Sequence, residues 1–336
     1  ALRRAAALGV AAVHEMAGPE ISSADDLAAL LALAAREPLP EVFGYWGELH
    51  AVKTARELGA VGAGGDLFCD GSIGSHTAGL SEPYADAEGS GYLRFDTAEL
   101  AEHIAECTEA GLQTGFHAIG DAAISQVVAA MEMAGQRAGR AAVAGAGHRL
   151  EHAELVPDIA ALAASGLFAS VQPAFDATWG GPDRMYARRL GAGRASRLNP
   201  LAGLAAAGVP LALGSDSPVT PIDPWGSVRA ASYPTNRAHA LSPRAAFNAH
   251  TRGGWRAARA DSDGSGVLAP GAPATYAVFA AGSLGVDAPD ERVSRWSTDE
   301  RAAVPGLPDL TPGRQLPRCL RTVLRGNELF DAGELA

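Results

Sequence analysis

The chain has 336 residues, 47% of them hydrophobic, with 40 Gly and 21 Pro, a globular composition long enough for one large α/β domain plus a small companion. A formal net charge of −11 argues against a nucleic-acid partner, because neutralising phosphates needs a basic face and none is evident. Three scattered cysteines (Cys69, Cys107 and Cys319) without a CxxC pair exclude a disulfide framework and a thiolate zinc site, and make a reducing, cytoplasmic setting the default.

Taken in chain order, short apolar strands alternate with Ala/Leu-rich helical stretches. The N-terminal arginines and small residues faintly resemble a signal peptide, but Gly9 and His14-Glu15 interrupt the run and no cleavage pattern follows. No apolar run reaches bilayer-spanning length, so no membrane association is expected. "GVAAVHE" (9–15) predicts the first strand, followed by a helix over 23–37 with Ser23 as its cap and Asp25-Asp26 in its first turn. Further strands are predicted in "EVFGYW" (41–46), "GGDLFCDGS" (64–72), "LQTGFHAIGD" (112–121), "AGHRLEHAEL" (146–155), "LFASVQPAF" (167–175) and "VPLALGSDSPV" (209–219). A long loop is expected over 176–198, and the last helix of the domain over 242–259.

Beyond residue 260 the texture changes to turns and short strands. Residues 284–316 read as an irregular surface excursion, and "CLRTVLRGNELF" as a hairpin turning at Gly326-Asn327. The expected division is therefore 1–260 and a β-rich 261–336.

Alternation of strands and helices implies a parallel sheet. Six predicted strands end in polar residues: His14, Asp70, His117, His152, Gln172 and Asp216. A barrel gathers its chemistry on that rim, whereas a doubly wound sheet uses one switch point, so the pattern favours a (β/α)8 barrel. Only seven strands are found where a closed barrel needs eight.

Each polar strand end has a bland reading beside the functional one. His117 is either a hydrogen-bonded core histidine or a metal ligand, with the following Gly turning the chain off the strand. In "HRLEHAEL", strict alternation puts His148, Leu150 and His152 on one face and Arg149 and Glu151 on the other. The inward face would then hold His148 deep in the barrel and His152 at the rim, with Arg149 and Glu151 ion-paired to a helix outside. Asp216 and Asp70 each occupy stretches where a turn alone would explain an Asp. Together, two histidines and an aspartate on three strand ends make a plausible metal-hydrolase rim, because a divalent ion acidifies water and a neighbouring carboxylate can relay the proton.

"HAIGDAA", "HRLEHAEL", "VQPAF" and "GSDSPV", in that order, resemble the amidohydrolase superfamily, and more narrowly its amidohydrolase-3 group. "DGSIGSHTAGL" and "GVLAPGAPATYAVF" are similar to that group as well. The resemblance implies a (β/α)8 barrel beside a small β-sandwich, and metal-dependent hydrolysis of an amide or other C–N bond. By motif it implies that His117 and His152 are metal ligands. It implies that Asp216 is both a ligand and the proton shuttle for the attacking water, with His152 available to an oxyanion.

Two departures accompany it. The family's strand-1 His-x-His pair occurs nowhere, and "GVAAVHEMAG" looks like the second strand, so a fragment lacking its first strand unit is expected, with weak metal affinity and little turnover. Where many relatives carry a Lys that bridges two metals, this chain has Asp66, so one ion, zinc by expectation, is favoured over two. A non-catalytic barrel used for binding, or a deaminase or cyclic amidase of the same fold, are the alternatives. The substrate is expected to be a small molecule, and oligomer formation is left open.

Overall fold

In a computed structural model, which describes residues 1–285 and 305–335, the first two strands are β1 (Ala12–Ala17) and β2 (Glu41–Trp46), paired in parallel from Ala12 opposite Glu41 to Ala17 opposite Trp46. A five-stranded parallel sheet follows in the order β3 (Leu67–Phe68), β4 (Gly115–Ala118), β5 (Arg149–His152), β6 (Phe168–Val171) and β7 (Leu211–Leu213). Gly62 joins the two sheets, bridging in parallel to Tyr45 on one side and to Gln113 on the other. Strand neighbours in space are thus neighbours in sequence throughout. A doubly wound sheet would reverse its order at a switch point, so this is the strand order of a barrel wall. No pairing joins β7 to β1 among the described residues.

The helices form where local signals favour them. Ser23 Oγ accepts from the Asp26 amide (3.1 Å) and Asp26 accepts from the Ser23 amide (3.3 Å), a capping box that starts the helix Ala24–Arg36. The helices Thr97–Glu109 and Asp121–Ala138 lay Leu100, Ile104, Ile124, Val127 and Met131 against Phe116, Leu150 and Ala169 of the sheet. Each such side chain, fully withdrawn from water, contributes about 1.5–3 kcal/mol, so this layer is what holds β4 to β6 in place.

Three local expectations are corrected. The segment expected as a long loop contains the helices Pro173–Trp179, Met185–Leu190 and Ala192–Ala195. The helix expected over 242–259 is two, Pro243–His250 and Arg252–Ala257, broken at Thr251 with φ −104° and ψ −88°. The strand expected over 64–72 shrinks to Leu67–Phe68, because Gly64 and Gly65 have φ of 151° and 97°, outside any strand geometry.

The C-terminal segment carries β8 (Tyr276–Ala280), β9 (Leu284–Gly285), β10 (Leu307–Pro308), β11 (Arg318–Leu324) and β12 (Asn327–Asp331). They form an antiparallel three-stranded sheet, β12-β11-β8, and a two-stranded β10-β9. The N-terminal helix Leu2–Ala7 packs on β11 and β12, with Thr322 Oγ1 donating to the Ala6 carbonyl (2.7 Å). The hairpin turns one residue earlier than expected, at Arg325-Gly326, both with positive φ (48° and 83°). Most of the excursion expected over 284–316, residues 286–304, lies outside the described residues.

Candidate metal centre

Three side chains converge from the residue before β3, from β4 and from the end of β5. Asp66 Oδ1 lies 3.2 Å from His117 Nδ1 and 3.4 Å from His152 Nε2, and the three ligand atoms all fall within 4.8 Å of one another. His117 is carried inward by β4, where it is paired with Phe68 and Glu151 on the neighbouring strands. His152 closes β5 with φ 74°, followed by Ala153 with φ 48°. These left-handed residues swing the imidazole into the interior, against the alternation that placed it on the face of His148 and Leu150.

The remaining ring nitrogens orient the pair. His117 Nε2 donates to the Gly71 carbonyl (3.1 Å) and His152 Nδ1 to Gln172 Oε1 (2.9 Å), assignments that follow from the acceptors they face. His117 Nδ1 and His152 Nε2 are thereby the ring atoms turned toward Asp66. His152 Nε2 is buried with no hydrogen bond of good geometry, the state expected of a nitrogen waiting for a ligand. Burial by itself would lower the His152 pKa, but the Asp66 carboxylate beside it prevails and raises it to about 10. Asp66 is likewise opposed by burial, yet the two imidazoles hold it well below the usual carboxylate range.

Asp70 stands behind the cluster and acts on the backbone. Its carboxylate accepts from the amides of Gly79 (2.8 Å), Ile119 (3.1 Å) and Gly120 (2.8 Å), and lies 3.6 Å from His117 Nε2. A Cβ on Gly120 would sit 2.0 Å from the Gly79 carbonyl oxygen, so the loop can approach β4 this closely only over a glycine.

Asp216 follows β7 with φ 53° and lines the same cavity as the cluster, without joining the three atoms that converge. Burial raises its pKa. His14, expected at a strand end, lies mid-strand in β1, beside Arg149. There Arg149 uses every donor it has. Its Nε (2.7 Å) and Nη2 (3.3 Å) hold Glu151, Nη2 also reaches Ser170 Oγ (3.1 Å), and Nη1 reaches His14 Nδ1 (2.6 Å) and the Tyr45 hydroxyl (3.0 Å). Burial first, and then the Arg149 charge, keep the His14 pKa well below its ordinary value, so His14 accepts as a neutral ring.

This corrects the reading of "HRLEHAEL". Arg149 and Glu151 face the cavity, and His148 faces away from it under the helix Thr97–Glu109, bonded to Thr108 Oγ1 (2.9 Å) and to the Thr114 amide (3.0 Å). Glu154, buried next to the site and 3% exposed, has its pKa pushed up to about 7 by burial.

The site opens on a cavity of about 1570 Å³ lined by Asp66, His117, His152, Gln172, Asp216 and Phe175, among others. That exceeds the roughly 300–1,000 Å³ of a small-molecule pocket. The excess runs between the unpaired edges of β1 and β7, past Val13, Ala212 and Trp225, down to Phe279. Among the described residues no helix is long and apolar enough to cross a membrane.

A model of the amidohydrolase family matches residues 1–330. This chain belongs to the amidohydrolase family. Among curated relatives it is 32% identical over 171 residues to YtcJ of Bacillus subtilis (strain 168), named as an amidohydrolase, covering 49% of this chain and 30% of YtcJ. It is 34% identical over 232 residues to the protein LONG AFTER FAR-RED 3 of Arabidopsis thaliana, covering 64% of this chain and 38% of that protein. An uncharacterized metal-dependent hydrolase from Pyrococcus furiosus aligns with a TM-score of 0.63 and 30% identity, over 77% of this chain and 54% of that one. A second, from Pyrococcus horikoshii OT3, aligns with a TM-score of 0.65 and 29% identity, over 81% and 56%. The chain thus spans between 30% and 56% of the length of these relatives.

Proposed function

We propose that Asp66, His117 and His152 hold one divalent cation, zinc by preference, and that the cavity above them hydrolyses an amide or other C–N bond of a small molecule. The observation that carries this is the convergence of three ligand atoms with both histidines turned by outer partners, a three-ligand set that leaves coordination open to water. Bound there, such an ion would acidify water and polarise a substrate carbonyl. Asp216, lining the same cavity, is the group placed to take a proton from water as the carboxylate and pass it to the leaving nitrogen; burial raises its pKa, which makes the carboxylate a stronger proton acceptor. Gln172 fixes the His152 ring, and the Arg149–Glu151 pair beneath keeps the floor of the site rigid.

The sheet edges bear on completeness. β7 and β1 border the cavity unpaired, and a further parallel strand between them would close an eight-stranded barrel. We read that gap as the place of a strand supplied by a longer polypeptide. It favours a second reading for the chain as it stands: metal binding with little or no turnover. The test is metal analysis of purified protein after zinc reconstitution and desalting, alongside Asp66→Asn and His152→Ala, with hydrolysis of N-acyl amino acids assayed in parallel. One zinc per chain, lost in both variants, is expected. Zinc content no higher than that of the two variants would end the metal reading.

A further inference from the structure

The cavity holds one more pair of buried polar groups that the hydrolytic reading does not use. Glu154 is 3% exposed, and Tyr186, from the helix Met185–Leu190, is 2% exposed. Both line the cavity. Among the described residues neither Glu154 Oε2 nor the Tyr186 hydroxyl makes a hydrogen bond of good geometry, although the two stand close enough for the hydroxyl to lower the Glu154 pKa, and the cationic group that acts on Glu154 most is the His152 imidazole. A carboxylate withdrawn from water without N–H donors is strongly unfavourable, so groups of this kind mark places where a ligand completes the bonding.

The surroundings indicate what kind of ligand. Around the pair, Ile73, Ile119 and Met185 supply apolar wall. An aromatic row runs from the metal site to it: Phe175 stacks on His152 (5.9 Å between centroids), Trp179 meets Phe175 edge-on (4.9 Å), and Tyr186 meets Trp179 (6.3 Å). A carboxylate at the end of a row of aromatic faces attracts a cation twice over, through its charge and through the ring quadrupoles. Anionic groups would meet repulsion there.

We propose that Glu154 and Tyr186 form a recognition site for a cationic N–H group, an ammonium or amidinium, carried on an apolar substrate body whose scissile bond reaches the Asp66–His117–His152 centre. This rests on reading the cavity as the active site, but the pair needs no metal to bind such a group.

The test uses benzylamine, benzyl alcohol and phenylacetate as probes on the full chain in EDTA. Binding is followed by saturation-transfer NMR and by the part of the tryptophan emission change that Trp179→Phe removes. Benzylamine is expected to bind about tenfold or more tighter than benzyl alcohol, and phenylacetate weakest. Glu154→Gln should bring benzylamine to the level of the alcohol, while Glu132→Gln, at an exposed carboxylate on the helix Asp121–Ala138, keeps the preference. Equal binding of amine and alcohol by the wild-type chain overturns the proposal without recourse to any variant. So does a preference that survives Glu154→Gln or disappears in Glu132→Gln. Zinc content, measured separately, tells failure of this proposal from failure of the metal reading.

Discussion

Zinc binding at this site should be a competition with a proton. Below its pKa of about 10 the metal-free His152 carries a proton shared with the Asp66 carboxylate, and a cation must displace it. At pH 7 that displacement weakens apparent affinity by about three powers of ten, or about 4 kcal/mol. Affinity should therefore climb about tenfold per pH unit, close to a hundredfold between pH 6.5 and 8.5, with about one proton released per ion. Calorimetric titration in buffers of different ionisation enthalpy reads both quantities from one series. An affinity that stays flat across this range, with no proton released, would refute the claim that Asp66 holds His152 protonated, and with it the alignment of the two side chains.

The same pair sets a pH window for the metal-free fold. Because the folded pKa of His152 lies above its unfolded value near 6.5, its contribution is complete below about pH 6.5 and is lost as pH rises toward 10. The lowered Asp66 pKa acts oppositely, its contribution being lost as pH falls below about 4, so urea midpoints in EDTA should decline on both flanks. Gln172→Leu, which frees the His152 ring, should weaken zinc binding by about 10–100-fold while leaving the thermal midpoint nearly unchanged. Glu151→Gln leaves the Arg149 charge buried with neutral partners only and should destabilise by about 3–5 kcal/mol. Arg149→Met combined with Glu151→Leu should recover most of that loss, and a double variant no better than the single one would argue against the pair's burial. Gly120→Ala drives a Cβ into the Gly79 carbonyl and should cost more than about 3 kcal/mol, measured by chemical denaturation.

Much of the architecture was legible because it rests on local periodicity. "EVFGYW" is a strand over the very residues expected, and the Ser23 cap starts its helix where the Ser-Ala-Asp-Asp pattern places it. The helices of 173–195 were missed because Gly180, Gly181 and Gly191 punctuate them into pieces too short for a periodic signal. Asp66 is the instructive case at the site. In sequence it stood only where relatives carry a lysine, and no local pattern distinguished it from a turn residue. The one signal available was its place four residues before Asp70 in "GGDLFCDG".

The sequence by itself determined the family, the order of the strands, and that His117 stands at the end of a strand, since motif order and a period of two or 3.6 residues are properties of the chain taken a few residues at a time. Only the tertiary structure decided which way side chains look and which of them meet. Alternation predicts a face only while the strand lasts, and β5 ends at His152, where one left-handed residue reverses the outcome. That reversal sends His152 inward with Arg149 and Glu151 and leaves His148 outside. The meeting of Asp66 with His117, 51 residues away, depends on the curvature that brings β3 beside β4. Glu154 and Tyr186 share a cavity wall for the same reason, and no periodicity along the chain records such a distance.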